Sequence, residues 1–321
     1  MKSRRDEYDE KGFVIVRGVL DPQVDLEPVR QEYDALADRR AAELKAAGRV
    51  TSYDSEAPVE SKLLQLMAQT HGDCFQSLDI TLPLEDQIRP NTPMHLGPEV
   101  FALLRNSKLL DAIEGFIGAE IYSVPVQHMR IKPPQHQISD KTKAHTLTLT
   151  GQTAWHQDLV VVTEEAAKTD MISVWLPLNR AAVENGCLMI APGSHREGLV
   201  HHCDEPSFQG VPDKAIGVEP LPLPVEVGDV IFIHPLMLHA SLPNKSTRGR
   251  WSLDLRYCPV GQPTGRPWFP GFVARSRANP ELELKDASVW AESWRSARTA
   301  LADKPRPSFH HYMPPGHPLC A

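Results

Sequence analysis

The chain has 321 residues, 41% hydrophobic and 23% charged, with a formal net charge of −7. That balance belongs to a folded globular protein with enough length for a large core, and it excludes a disordered or collagen-like chain. No long basic run is present, so nucleic acid is not an expected partner, and no apolar run approaches the length that spans a membrane.

The 29 prolines suit a β-rich fold with many turns better than a helical bundle. The five cysteines are odd in number and show no Cys-x-x-Cys spacing. A disulfide framework or zinc ribbon is therefore not expected, and a reducing compartment is. No apolar signal core follows the charged start Met1 to Glu7, and the last residues are not a Ser-Lys-Leu address. The expected location is the cytoplasm.

In chain order, Gly12 to Leu20 reads as a buried strand. Val24 to Ala47 reads as a long amphipathic helix, Leu63 to Gln69 as a short one, and Pro98 to Ile117 as a third. After Gly118 the pattern changes. Short β-prone runs occupy 121–132, 146–150, 171–178, 187–191, 230–234 and 251–257, separated by turns rich in Pro, Gly and Asn. A further helix is expected near Ala287 to Leu301. The expectation is one mainly β domain with flanking helices: a helical front at about 21–118, a jelly-roll body at about 119–260, and an extension over 261–321.

Three His-x-Asp triplets stand in the chain: His71-Gly72-Asp73, His156-Gln157-Asp158 and His202-Cys203-Asp204. With 14 histidines, about one is expected by chance, so position must choose among them. The first precedes the β region. The third lies 37 residues before His239, in a polar stretch that reads as an exposed loop. The second opens the β body, and His239 lies near its end. Two imidazoles and a carboxylate are the ligand set of a mononuclear non-haem Fe(II) oxygenase. Side chains at i and i+2 of a strand share a face, so His156 and Asp158 can point inward together, as can His239 with Ser241 and Arg250 with Ser252 and Asp254. An arginine beyond the second histidine can grip a carboxylate through two parallel hydrogen bonds.

These residues, with Trp175-Leu176-Pro177-Leu178, Glu184-Asn185-Gly186-Cys187-Leu188, Pro192-Gly193-Ser194-His195, Gly228 to Ser241 and Asn244-Lys245-Ser246, resemble the phytanoyl-CoA dioxygenase family of Fe(II)/2-oxoglutarate-dependent oxygenases. The similarity spans about residues 8 to 257. It implies His156, Asp158 and His239 as iron ligands. It implies Arg250 as the clamp for the C5 carboxylate of 2-oxoglutarate, with Ser241 bonded to the same co-substrate. Gln157, Trp175 and His128 fall at positions implied to pack against iron or co-substrate. The implied reaction consumes O2 and 2-oxoglutarate, releases succinate and CO2, and oxidises an unactivated C–H bond of a small molecule. Relatives that halogenate carry a small residue in place of the carboxylate, so Asp158 implies hydroxylation or another oxidation. The stretch between Gln135 and Gln152 follows no pattern of the family and is expected to cover the mouth of the site.

Other readings stay open. The substrate is a free small molecule, such as a secondary metabolite, or an acyl-CoA ester. A jelly roll that binds a metal or ligand without turnover also accommodates the triad. A zinc hydrolase with the same ligands needs a general base, and none is evident near His156 or His239. His234, five residues before His239, is read as structural, and His195 as the end of a turn. Cys187 and Cys258 are read as strand-core residues.

Overall fold

The computed structural model describes residues 3–83, 88–138, 153–205, 208–304, 312–313, 318 and 320. The amino-terminal region is helical apart from one strand. Helix α1 (Arg4–Lys11) opens on a capping box in which Ser3 Oγ accepts from the Asp6 amide and Asp6 returns the bond to the Ser3 amide. Strand β1 follows as Phe13–Val16, the central part of the predicted strand. Helix α2 (Glu27–Ala46) buries Val29, Tyr33, Leu36, Ala37 and Ala41, one stripe at helical spacing. Helix α3 (Val59–Thr70) ends where His71 turns into the left-handed region at φ 53°. The first His-x-Asp triplet is thus a helix terminus, and its Asp73 pairs with Arg49 at 2.8 Å.

One long helix was expected over Pro98 to Ile117, and two are found: α4 (Pro98–Leu104) and α5 (Ser107–Ile117). The break has a local cause. Asn106 leaves helical geometry and its side chain caps the new helix, accepting from the amides of Lys108 and Leu109.

The strands after α5 are β2 (Glu120–Ser123), β3 (His128–Lys132), β4 (Ile172–Pro177), β5 (Leu188–Ile190), β6 (His202–Glu205), β7 (Phe208–Gly210), β8 (Leu221–Leu223), β9 (Val230–Ile233), β10 (His239–Ser241), β11 (Arg250–Pro259) and β12 (Phe272–Ser276). A seven-stranded antiparallel sheet runs β1-β9-β4-β11-β2-β12, with β3 also on β11. An antiparallel three-stranded sheet runs β10-β5-β8. Helix α6 (Ala287–Leu301) lies where expected and packs on α4. The short β13 (Tyr312–Met313) joins β6 in parallel, beside β7. The fold is therefore mostly antiparallel sheet with flanking helices, as predicted.

Period-two alternation decides which side chains face the site. On β11, Trp251, Leu253, Leu255 and Tyr257 enter the core beneath the helices, together with Val174 and Leu176 of β4, Phe232 of β9 and Met129 and Ile131 of β3. The Trp251 ring meets Tyr33 of α2 edge-on at 5.4 Å. Truncating a fully buried tryptophan of this kind costs roughly 3–5 kcal/mol. The opposite face of the same strands turns toward the small sheet. There Trp175, Ile231 and Ile233 pack against Leu188 and Ile190 of β5, and the polar members of β11, Arg250, Asp254 and Arg256, line a cavity. Two glycines permit close approach. Gly228, at φ 96°, starts the turn into β9, and a Cβ there would lie 2.3 Å from the Leu20 carbonyl oxygen. Gly186, at φ 85°, passes 2.6 Å (Cβ position) from the Leu242 carbonyl oxygen and against the Lys132 side chain.

Three expectations need correction or bounding. Cys203 and Cys320 form a disulfide across 117 residues, where unpaired cysteines were expected. Spacing could not show it, because strand pairing of β13 with β6 is what returns the chain to Cys203. His156 and Asp158, expected on one strand, lie on an isolated bridge and a 3-10 turn over Asp158–Val161. The predicted strand at 146–150, and most of the 135–152 segment, lie outside the described residues. Among the described residues, no helix is long and apolar enough to cross a membrane. Cys187 and Cys258 are fully buried, as read from sequence.

Candidate metal centre

His156 and His239 meet in an antiparallel bridge between the start and the end of the β region. Each amide donates to the other's carbonyl at 3.0 Å, and the rings lie 4.2 Å apart. Each ring is then fixed by its own backbone. His156 Nδ1 donates to the Ala154 carbonyl and His239 Nδ1 to the Met237 carbonyl, both at 2.9 Å. A carbonyl oxygen can only accept, so Nδ1 carries the proton on both rings and Nε2 keeps a lone pair. Asp158 completes the group. Its Oδ1 is 3.9 Å from His156 Nε2, and the three ligand atoms lie within 4.8 Å of one another. Among the described residues no other grouping of histidine, cysteine and carboxylate does this. The inward pairing of His156 and Asp158 predicted from strand alternation is present. A bridge followed by a 3-10 turn produces it rather than a continuous strand.

The donor set fits a divalent ion of borderline hardness: two imidazole nitrogens and one carboxylate oxygen. Burial, followed by the neighbouring His239, presses the His156 imidazole down to about 3, so it stays neutral and available through mild acid. Burial alone would raise the Asp158 carboxyl. The Arg256 guanidinium, the two imidazoles and the Ser173 hydroxyl outweigh it and hold that carboxyl well below its ordinary range. Arg256 Nη2 donates to Asp158 Oδ1 and Ser173 Oγ donates to Oδ2.

The other predicted residues divide into two groups. Arg250 and Trp175 line the same cavity as the triad. The Arg250 guanidinium is 4% exposed, lies 5.2 Å over the Trp175 ring and donates from Nη1 to Ser252 Oγ at 2.6 Å. Its Nε is buried without a partner, and among the described residues no carboxylate lies within 4 Å of it. Burial lowers its pKa to about 10, with Asp254 acting against the shift. Ser241 is fully buried beside this group, and its Oγ accepts from Lys132 Nζ at 2.6 Å and from the Thr153 amide at 3.1 Å. Both lone pairs of the hydroxyl are therefore taken, and its proton is left to donate.

Gln157 and His128 do not join the cavity. The Gln157 side chain donates to the Gly198 and Leu236 carbonyls and accepts from the Val200 amide, so it anchors two loops behind the triplet. His128 shares its face of β3 with Arg130, but its Nδ1 is bonded to Asp79 at 2.8 Å. His234, read as structural, stands just after β9, before a turn, and its ring packs near those of Tyr8 and His195. The expected loop at His202 is strand β6. His202 is fully buried, and its Nε2 accepts from the Gln157 amide at 3.0 Å.

Sequence reasoning missed Arg130, Lys132, Ser173 and Arg256. Arg130 Nε pairs with Asp254 at 2.8 Å inside the cavity. A signal for three of the four existed. Arg250-x-Ser252-x-Asp254-x-Arg256 is a polar file at period two in an otherwise apolar strand, and Arg130-x-Lys132 repeats it on β3.

The profile of the Phytanoyl-CoA dioxygenase (PhyH) family matches residues 8–252. Peroxisomal phytanoyl-CoA dioxygenase of Homo sapiens is 25% identical over 262 residues, which cover 79% of this chain and 67% of that protein. Phytanoyl-CoA dioxygenase domain-containing protein 1 of Bos taurus is 25% identical over 295 residues, 84% of this chain and 92% of that one. Among solved structures, the non-heme monooxygenase ThoJ in its apo form superposes with a TM-score of 0.58 at 16% identity, covering 92% of this chain and 96% of that chain, a likeness of fold.

Proposed function

The chain belongs to the phytanoyl-CoA dioxygenase family, and from that premise we propose that it is a non-haem Fe(II)- and 2-oxoglutarate-dependent dioxygenase that hydroxylates, or otherwise oxidises, an unactivated C–H bond of a small molecule. In this reading residues 1–321 are one domain, and the large and small sheets are the two halves of a double-stranded β-helix. His156, Asp158 and His239 hold the metal. When bound there, iron(II) supplies the oxygen chemistry that couples decarboxylation of 2-oxoglutarate, with release of succinate and CO2, to oxidation of the substrate.

The protein's own part is binding, orientation and exclusion of water. Among the described residues no carboxylate lies within 4 Å of the buried Arg250 guanidinium, and a co-substrate carboxylate supplies a partner through two parallel bonds. Ser241 is left with a proton to give to the same carboxylate. Trp175 lies along the Arg250 guanidinium and keeps its plane fixed. Asp158 is a carboxylate where halogenating relatives have a small residue, which supports hydroxylation or a related oxidation. Arg130, Asp254 and Arg256 make the inner wall charged, which favours a small polar substrate over the acyl chain of a CoA ester.

One observation carries the reading: two imidazoles, both tied through Nδ1, direct free Nε2 atoms to one carboxylate oxygen. Anaerobic addition of Fe(II) and 2-oxoglutarate should give a weak visible charge-transfer band that His156→Ala and His239→Ala abolish. Absence of the band, together with no succinate from any tested substrate, rules the function out.

A further inference from the structure

Asp158 Oδ1 is asked to serve two partners. It is the carboxylate oxygen near His156 Nε2, at 3.9 Å, and it also accepts the bond from Arg256 Nη2. Oδ2 is held separately by Ser173. Both side chains of the Arg256–Asp158 pair are only 6% exposed. Arg256 is anchored at a second point, with Nη1 donating to the Val126 carbonyl at 3.2 Å, while its Nε has no partner. The guanidinium therefore leans on the metal-ligand oxygen and on one backbone carbonyl.

Without a cation, a buried carboxylate is an uncompensated charge, and burying one is costly. With a divalent ion on the same oxygen, a guanidinium at contact distance is a like charge in a medium that screens it poorly. The same arginine thus stabilises the metal-free pocket and opposes the loaded one. We propose that Arg256 is a resident stand-in for the metal: it holds Asp158 Oδ1 in the metal-free protein and gives that oxygen up when the ion enters. This rests on reading His156, Asp158 and His239 as the metal ligands. Arg256 is a positioning residue in this account, acting through Asp158. Ser173 keeps the carboxylate in plane during the exchange, because its bond to Oδ2 does not compete for the ligand oxygen.

The test uses full-length metal-free protein titrated with Co(II) under argon, read by visible absorption and calorimetry, with melting temperatures before and after loading. Arg256→Met is expected to melt several degrees lower without metal and to bind Co(II) about tenfold more tightly. Arg256→Lys, which keeps the cation, is expected to stay near wild type on both readings. Co(II) affinity that is unchanged in Arg256→Met overturns the proposal. So does a loss of about ten- to hundredfold, the mark of a residue that orients a ligand in the loaded state. If Arg256→Met does not fold, wild-type crystals grown with and without Mn(II) decide. The Arg256–Oδ1 contact is expected only without the ion, and its survival with Mn(II) bound overturns the proposal. Wild-type protein that gives no His156-dependent Co(II) spectrum fails the metal-centre reading itself, a result distinct from failure of the stand-in.

Discussion

Arg250 lies opposite Lys132 in the pairing of β11 with β3, so two buried basic side chains stand side by side, with Arg250 on the cavity wall. Burial, then the charge of Arg250, pushes the Lys132 ammonium well below its ordinary pKa. A buried guanidinium on the cavity wall calls for an anion. Arg250→Met should weaken 2-oxoglutarate binding by about ten- to hundredfold, as expected for lost hydrogen bonds to a charged group. Arg250→Lys should recover little, because an ammonium cannot form the paired bonds. Anaerobic calorimetry with Mn(II)-loaded protein measures both. Affinity within threefold of wild type in Arg250→Met would move the clamp elsewhere.

Ser241 joins Lys132 to the chain entering the metal centre, accepting from Lys132 Nζ and from the Thr153 amide. Ser241→Ala takes one acceptor from two donors, the buried Lys132 ammonium and the half-buried Thr153 amide. The expected loss is about 1–3 kcal/mol of stability in denaturant unfolding, accompanied by weaker 2-oxoglutarate binding. Ser241→Thr, which keeps the hydroxyl, should lose less of both. Equal losses in the two variants would show that volume, not hydrogen bonding, matters at this position.

The His156 imidazole gives a pH dependence with a definite sign. Its folded pKa, pressed down to about 3, lies below the unfolded value near 6.5, so the unfolded chain takes up the proton first. The contribution to stability is complete above about pH 6.5 and is lost as the pH falls toward 3. In metal-free protein the slope from this residue is at most about 1.4 kcal/mol per pH unit. Urea unfolding between pH 7 and 4.5 should show a shallower decline for His156→Asn than for wild type. Parallel curves would mean that the imidazole is not held neutral by the fold.

The Cys203–Cys320 disulfide fastens the end of the chain to β6, whose His202 accepts from the Gln157 amide between two of the candidate ligands. Cys320→Ser should cost about 2–4 kcal/mol of stability, as disulfide removal does in general. Dithiothreitol should bring wild type down to the variant and leave the variant unchanged. Wild-type melting that is insensitive to the reductant excludes the bond in solution.

Much of the centre was legible in the residues because ligand chemistry is local. His-x-Asp, the distal histidine and an arginine eleven residues beyond it are readable as spacing, and the Arg250 to Arg256 file is readable as period two. Helix α6 and the stripe on α2 followed from composition and periodicity for the same reason. The rest depends on which segments meet. Ser173 is an unremarkable strand residue, and Arg256 one member of a polar file, until β11 and β4 pair in the register that sets them opposite each other, both on Asp158. Gln157 sits between two ligands, yet the loops behind it capture its amide and turn it from the cavity. His202 gains its role only because β6 runs behind the triplet. The sequence by itself determined the kinds of donor available and the faces they share on a strand. Only the tertiary structure decided which charges neutralise one another, because the energy of a buried charge depends on neighbours from distant parts of the chain.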